Sequence, residues 1–342
     1  MAAVPASAPG GAAHRIIARV HAAPPEHNAG AEHMLISMLR PLAERGHEVE
    51  VWLSRYGKAH EVYEYRGIRV VPLEARLDFA TAVRRADVLI SHLECVPSTA
   101  SLARGYGKPL VVICHNTHRP TFRDAAAGQT ALAVYNSQWM QAEAELFFAE
   151  YPKSVRPSGS LLVRPPVFAA EYKTRPGKAV TLINCNEAKG GHVLRRLAER
   201  MPGQQFLAVR GAYGEQVDYD GLDNVEVLQQ VPGEEMAERV YGRTRVLLMP
   251  SSYESWGRAG AEALASGIPV VAHPTPGLCE SLGEAGIFVD RSDLDGYEAV
   301  LRKLLSDPAE YRLASKRAQT RSKELDPTRE LSAWCRAVEG LT

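Results

Sequence analysis

Residues 247–272 read LLMPSSYESWGRAGAEALASGIPVVA and contain a complete strand, helix and strand pattern. The apolar run that ends at Pro250 predicts a strand, and the residues from about Gly257 onward predict a helix. Gly267 stands where a helix commonly ends, and Pro269 opens the next apolar run. A strand, a helix and a further strand in this order form the unit from which parallel sheets are built.

The same pattern continues in both directions along the chain. Short runs rich in Val, Ile and Leu alternate with amphipathic stretches from residue 14 onward, as expected for parallel sheets that are buried on both faces. We therefore predict an α/β fold with two doubly wound, Rossmann-like domains. The predicted strands begin near residues 16, 48, 68, 87, 109 and 131 in the first half and near 180, 205, 224, 245, 269 and 287 in the second.

The composition changes between residues 154 and 178, where prolines and glycines are frequent and a linker is predicted. The predicted organisation is a first domain over residues 14–165, a second over 166–324 and a C-terminal helix over 325–342 that returns to the first domain. Residues 1–13 are small and rich in Pro and Gly, so they predict a disordered leader without a secretion signal.

The composition excludes several functional classes. The 342 residues carry 40 Lys and Arg against 40 Asp and Glu, and no basic block predicts a nucleic-acid partner. No stretch reaches the roughly 20 continuous apolar residues that cross a bilayer, so a soluble, cytoplasmic protein is expected. The five cysteines are scattered and odd in number, which predicts buried free thiols and neither a disulfide framework nor a zinc ribbon.

Two carboxylates lie in the turn and helix that follow the predicted strand ending at Pro250. Ligands of parallel sheets bind outside the carboxyl ends of strands, where helix N-termini present free N–H groups. Glu254 precedes the predicted helix, and Glu262 stands about one and a half turns inside it. Both side chains can therefore face one cavity.

These glutamates, with the A-x-G-I-P-V-V-A and PGLCESLGEAGIFVD segments that follow them, resemble the donor-binding signature of retaining glycosyltransferases of GT-B fold, family 4. The resemblance extends to GAEHMLISMLRPLAERGHEVEVW, KPLVVICHN and EAKGG, and it covers nearly the whole chain after residue 14. It implies two domains that face a central cleft. It also implies metal-independent, retaining transfer of a hexosyl group from a nucleotide-diphosphate sugar to a hydroxyl of a small-molecule acceptor.

The resemblance assigns the donor to the second domain. It gives Glu262 the ribose hydroxyls, which suits a carboxylate because it accepts two hydrogen bonds from a vicinal diol. It places Glu254 beside the hydroxyls of the donor sugar. The backbone amides of Ser255, Trp256 and Gly257 are then available to the diphosphate.

Lys189 opens a predicted helix after the strand that begins near residue 180, and the resemblance places its ammonium on the pyrophosphate. Relatives usually have an arginine five residues earlier, where this chain has Asn184, which is expected among the donor-binding residues. Arg210, at the end of the next strand, and Arg258 are the two candidates for the missing cation.

In the first domain the resemblance places His115, at the end of a strand, on the donor sugar. A histidine there can donate a hydrogen bond to a sugar hydroxyl. His118 and Asn28 are candidate acceptor ligands. The turn before the first long helix resembles the glycine-rich loop of the family, with Ala29 where a glycine is common and Gly30 retained.

No cofactor and no metal site is expected. Cys114, His115 and His118 do not predict one, because neighbouring residues of a strand point to opposite faces and a fourth ligand is missing nearby. The D-x-D strings at 218–220 and 293–295 predict loop and helix-cap roles. The alternatives left open are a GT-B sugar-nucleotide epimerase or phosphorylase and a non-catalytic sugar-nucleotide-binding protein.

Overall fold

The computed structural model describes residues 12–342, which form two compact units. The first unit comprises the described residues up to Pro166 together with Pro327–Thr342, and the second is Val167–Asp326. Each unit contains its own sheet with helices around it, so the prediction of two Rossmann-like α/β domains is confirmed. The leader predicted for residues 1–13 lies almost entirely outside the described residues.

Strands and helices alternate through the described residues. The strands are β1 (Arg15–Val20), β2 (Glu48–Leu53), β3 (Tyr63–Tyr65), β4 (Ile68–Val71), β5 (Val88–His92), β6 (Leu110–Cys114), β7 (Leu132–Tyr135), β8 (Gly159–Leu162), β9 (Ala179–Ile183), β10 (Phe206–Val209), β11 (Val225–Leu228), β12 (Thr244–Met249), β13 (Val270–Ala272) and β14 (Gly286–Phe288). The helices are α1 (Gly30–Glu44), α2 (Phe79–Arg85), α3 (Val96–Tyr106), α4 (Arg119–Ala127), α5 (Gln138–Ala149), α6 (Ala169–Tyr172), α7 (Gly191–Arg200), α8 (Met236–Arg239), α9 (Arg258–Ala265), α10 (Pro276–Leu282), α11 (Leu294–Ser306), α12 (Pro308–Glu324) and α13 (Thr328–Glu339).

The first sheet has the order β3-β4-β2-β1-β5-β6-β7-β8. All neighbouring strands run parallel except β3 and β4, which form an antiparallel pair at one edge. The chain builds outward from β1 in one direction and then returns to place β5 on the other side of β1. The central strands β5 and β6 are buried at every position, as their mainly apolar sequences predict.

The second sheet is parallel throughout and has the order β11-β10-β9-β12-β13-β14. Strands β10 and β11 extend the sheet on one side of β9, and β12, β13 and β14 then extend it on the other side. One face of this sheet packs apolar side chains against helices, for example Leu182, Leu194, Phe206, Leu248 and Tyr297. The other face carries a second cluster that includes Leu247 and Leu264. Each doubly wound sheet therefore has one switch point at which ligand sites commonly form.

The linker prediction for residues 154–178 is wrong in part. β8 lies inside this segment and pairs with β7 as the edge strand of the first sheet. Pro157 and Pro165 flank the strand and do not interrupt it, so they remove no hydrogen bond from the ladder. The helical turn α6 also lies in this segment.

The C-terminal helix α13 packs on α1 within the first unit. The Trp334 side chain is fully buried, and its Nε1 donates a hydrogen bond to the carbonyl oxygen of Met38 at 2.8 Å. At the other end of α13, Glu339 accepts hydrogen bonds from Arg45 at 2.7 and 2.9 Å. The C-terminal helix thus belongs to the first unit, together with β1.

One further prediction concerns the burial of the cysteines. Four of the five cysteines are buried, but Cys279 on α10 is exposed, so the prediction of buried thiols is wrong for that residue. Cys279 lies on the outward face of a short helix that buries Leu278 and Leu282 instead.

Among residues 12–342, no helix combines the length and the apolar character that crossing a bilayer requires.

Candidate active site

The switch point of the second sheet brings two predicted site residues together. Lys189 lies in the turn between β9 and α7, and Glu254 lies in the loop between β12 and α9. Since β9 and β12 are neighbouring parallel strands, their carboxyl ends are adjacent and the two loops meet. The site therefore follows from strand order, although its two residues are far apart in the sequence.

Lys189 and Glu254 form a direct ion pair. The Lys189 ammonium donates to Oε1 of Glu254 at 2.5 Å, and the hydroxyl of Ser251 donates to the same oxygen at 3.0 Å. Burial disfavours the ammonium, but the nearby Glu254 carboxylate and the Tyr213 hydroxyl outweigh it and raise the pKa of Lys189 above its usual value. Lys189 thus keeps its positive charge at the carboxyl end of the sheet.

Two glycines allow the Lys189 turn to pack closely. Gly190 caps α7 with φ +93°, and a Cβ there would lie 2.3 Å from Cγ of Pro250. A Cβ on Gly191 would lie 2.1 Å from the carbonyl oxygen of Cys185. The pair Gly190 and Gly191 is therefore required for the position of Lys189.

Glu262 lies on α9 in a buried polar network. Its Oε2 accepts a hydrogen bond from the Tyr241 hydroxyl at 2.6 Å, and its Oε1 accepts one from Nε of Arg258 at 2.7 Å. Arg258 also donates to the hydroxyl of Tyr172 at 3.1 Å. Burial disfavours the guanidinium, but Tyr172 and Glu262 outweigh it and raise the pKa of Arg258, so Arg258 keeps its positive charge. Tyr241 and Tyr172 were not predicted as site residues.

The predicted diphosphate-binding turn leads directly into α9. Gly257 caps this helix with φ +86°, and the side chains of Ser255 and Trp256 are buried beneath the turn. The loop rests on α10, where a Cβ on Gly277 would lie 2.3 Å from the carbonyl oxygen of Glu254. Close packing between two loops therefore holds Glu254 and the helix N-terminus in place.

Asn184 has a structural role at the end of β9. It adopts φ +63°, and its Oδ1 accepts a hydrogen bond from Gln216 at 3.0 Å. Gln216 in turn accepts from the amides of Cys185 and Gly211, each at 2.9 Å, and so links the ends of β9 and β10. Of the two candidate cations, Arg258 is bonded to Glu262, whereas Arg210 follows β10 as an exposed residue.

In the first unit, His115 lies directly after β6 and contacts a histidine that the sequence did not single out. Its Nε2 lies 2.9 Å from Nδ1 of His92, the last residue of the neighbouring strand β5. Burial lowers the pKa of His115 to about 4 and that of His92 well below its usual value. Both imidazoles are therefore neutral at pH 7.

The other first-unit candidates lie on loops. Asn28 donates to the carbonyl oxygen of Pro25 at 2.9 Å, and Gly30 is the exposed first residue of α1 with open space at its Cβ position. Gly30 therefore has no packing requirement for glycine. His118 is exposed and precedes α4.

The D-x-D strings have the loop and cap roles that the sequence predicts. Asp293 caps α11 by accepting from the amide of Gly296 at 2.8 Å. The backbone carbonyl oxygens of Asp218 and Asp220 accept hydrogen bonds from Arg195.

A family comparison matches part of this second unit. Residues 197–321 match the model of the family Glycosyl transferases group 1. The matched segment lies wholly within the second unit. Glu254, Arg258 and Glu262 lie inside the matched segment, and Lys189 lies just before it.

Individual relatives and structures agree with this match. The chain is 31% identical over 100 residues to O-antigen chain mannosyltransferase B of Escherichia coli, covering 29% of this chain and 26% of that protein. It is 27% identical over 271 residues to glycogen synthase of Mycobacterium tuberculosis (strain ATCC 25618 / H37Rv), covering 69% and 64%. The chain thus spans less than two thirds of the length of these curated relatives.

Among solved structures, Anabaena Alr3699/HepE in complex with UDP-glucose matches with a TM-score of 0.75 and 17% identity, covering 96% of this chain and 100% of that one. The chain has the GT-B fold. The predicted fold class, two Rossmann-like α/β domains of GT-B type, is therefore confirmed.

Proposed function

We propose that the chain is a retaining glycosyltransferase of family 4 that moves a hexosyl group from a nucleotide-diphosphate sugar to a hydroxyl of a small-molecule acceptor. The observation that carries this proposal is the Lys189–Glu254 ion pair at the switch point of the second sheet, in the unit that contains the segment similar to group 1 glycosyl transferases. A cation and a carboxylate, each at the start of a helix, suit an anionic leaving group and a hydroxyl-rich sugar.

Each residue of the second unit then has a defined part in donor binding. Glu262 binds the ribose hydroxyls, and Arg258 and Tyr241 hold its carboxylate in position. Lys189 and the amides at the N-termini of α7 and α9 bind the diphosphate. Arg210 is the second cation in this proposal, because Arg258 is already bonded to Glu262.

The chemistry consists of charge stabilisation and positioning. The bond between the anomeric carbon and the diphosphate oxygen breaks, and negative charge develops on the leaving group, which Lys189 and the helix amides stabilise. The acceptor hydroxyl attacks from the same face and gives its proton to a phosphate oxygen, so no enzymic nucleophile is needed. Glu254 orients the sugar. No metal ion has a part in this step.

The first unit supplies the acceptor side. His115 is neutral at pH 7 and can donate a hydrogen bond to a hydroxyl of the donor sugar. Asn28 and His118 are the proposed acceptor-binding residues, and Gly30 at the start of α1 is a proposed donor-binding residue. Under this proposal the domains are an acceptor domain over residues 14–165 and a donor domain over 166–324.

A thermal-shift panel of UDP-, GDP-, ADP- and dTDP-sugars tests donor binding, because a ligand that binds only the native state raises the apparent melting temperature. The donor that raises the melting temperature is then supplied with a labelled sugar, and analysis of the products tests transfer. Label in a glycosylated acceptor with retained anomeric configuration supports the proposal. Binding without turnover, or release of an epimer or a sugar phosphate, would overturn it.

A further inference from the structure

Three side chains of the first unit have potential metal-ligand atoms in one small volume. They are His21, which follows β1, His27 in the next loop, and Glu32 in the first turn of α1. Their ligand atoms all lie within 4.8 Å of one another. Within residues 12–342, they form the one such group of three or more His, Cys, Asp or Glu side chains. The proposed transfer reaction uses none of them.

The separations suit a shared ion. Oε1 of Glu32 lies 3.1 Å from Nε2 of His21 and 3.9 Å from Nε2 of His27. Ligand atoms bound tetrahedrally to zinc at about 2.0–2.1 Å are separated by roughly 3.3–3.4 Å. The first separation is within a few tenths of an ångström of this value and the second is about half an ångström longer, so movement of the half-buried His27 side chain would bring the three ligand atoms around one ion.

Burial gives an independent reason for a ligand. Glu32 is 2% exposed, and its Oε2 has no hydrogen-bond partner. A buried carboxylate oxygen without a partner is costly, and a cation at this point would bind it and remove that cost.

Glu94 lies where it could orient the His21 ring. Its Oε2 lies 3.8 Å from Nδ1 of His21, an atom that is buried and has no hydrogen-bond partner. Metal-bound histidines usually donate their other N–H to a carboxylate, which fixes the tautomer. A hydrogen bond from Nδ1 of His21 to Glu94 would leave Nε2 of His21, which faces Oε1 of Glu32, as the metal ligand.

We propose that His21, His27 and Glu32 bind a divalent transition-metal ion, for which zinc is the best match to two imidazoles and one carboxylate. Water takes the fourth tetrahedral position. The ligands come from a strand end, a loop and a helix start, so the ion fixes the connection between β1 and α1. This site is separate from the leaving-group chemistry, which the proposal for function assigns to Lys189.

The test uses the full chain after removal of metal with EDTA. Zn²⁺ titrated by calorimetry should bind with a stoichiometry of one and raise the melting temperature. Co²⁺ should bind at the same site and give the visible absorption of a tetrahedral ion. Glu32→Gln and His27→Ala should each weaken Zn²⁺ binding by about tenfold or more, because each removes one of three ligands.

His60→Ala is the matched control, since His60 is an exposed histidine of the same unit. Circular dichroism of each variant shows whether it is folded, and half-buried His27 is the more tolerant of the two ligand positions. Stoichiometric binding that only Glu32→Gln and His27→Ala lose supports the site. No binding to the wild-type chain, or equal binding to a folded His27→Ala variant, overturns it and leaves a simple His21–Glu32 ion pair.

Discussion

The Lys189 ammonium and the Glu254 carboxylate, which lie on loops after two neighbouring parallel strands, are hydrogen-bonded at 2.5 Å. In the proposed reaction these residues contact different parts of one donor, the diphosphate and the sugar. Their mutual bond satisfies both charges before the donor arrives. Donor binding therefore exchanges one ion pair for contacts with the ligand, and the net gain depends on the charge of the diphosphate.

Replacing Lys189 with Ala tests this arrangement. We expect kcat/KM to fall about 100-fold or more with every sugar donor of the same nucleotide, because a charge that stabilises the leaving group is lost. Steady-state kinetics with the donor found by thermal shift measures this. Lys316→Ala, an exposed lysine on α12, is the control and should leave kcat/KM unchanged. Wild-type turnover in Lys189→Ala would remove this residue from the site.

Tyr241→Phe tests the support of Glu262. The change removes the hydroxyl that donates to Oε2 at 2.6 Å, and we expect donor affinity to fall about tenfold because the carboxylate loses a positioning bond. The free energy of unfolding should fall by about 1.5–3 kcal/mol, as expected for a lost hydrogen bond to a charged group. Calorimetric titration with the nucleoside diphosphate and urea unfolding give the two values.

Tyr297→Phe is the matched control for this experiment. Tyr297 is also fully buried in the second unit, but its hydroxyl donates to the carbonyl oxygen of Val289 at 3.2 Å. Tyr297→Phe should lose some stability while its affinity for the nucleotide stays unchanged. Equal nucleotide affinity in Tyr241→Phe and wild type would show that Tyr241 does not position Glu262. Glu262→Ala should abolish the same affinity if this residue binds the ribose.

The sequence predicts the sheets well because their strands are buried on both faces. Such strands are rich in apolar residues, and most residues of β5, β6, β9 and β12 are apolar. β8 was missed because an edge strand needs apolar residues on fewer sides and its flanking prolines resemble a linker. Fold class and most strand positions therefore follow from local pattern alone.

Site residues are harder to predict, since they come from different strands. His92 contacts His115 only because β5 and β6 are adjacent, and Gln216 reaches Asn184 across a loop after β10. The spacing of residues along the sequence does not predict these contacts. The signal for the His21, His27 and Glu32 group was present as two histidines and a glutamate around the first strand-to-helix turn, but each residue type alone is common.

Gly277→Ala tests whether packing of α10 positions the Glu254 loop. The new Cβ would lie 2.3 Å from the carbonyl oxygen of Glu254, so the backbone must move. We expect stability to fall by about 1–3 kcal/mol, as for other overpacked sites, and kcat/KM to fall with it. Gly203→Ala, where the Cβ position has nothing within 4 Å, should change neither value. Unchanged kinetics in a destabilised Gly277→Ala variant would contradict a role in positioning Glu254.

Glu339→Gln tests how α13 is held to the first unit, through a pH dependence. Hydrogen bonds from Arg45 and His47 lower the pKa of Glu339 below its ordinary value of 4.5. A carboxyl with a lowered folded pKa contributes stability that is fully present above the unfolded pKa and is lost as the pH falls through the folded pKa. Wild type should therefore exceed Glu339→Gln by about 1 kcal/mol at pH 7 and lose this advantage below pH 4.5. Urea unfolding at several pH values measures the difference, and Glu64→Gln, an exposed carboxylate on β3, should show none. A difference that persists unchanged at low pH would mean that Glu339 acts through packing, since its charge would then have no part in holding the helix.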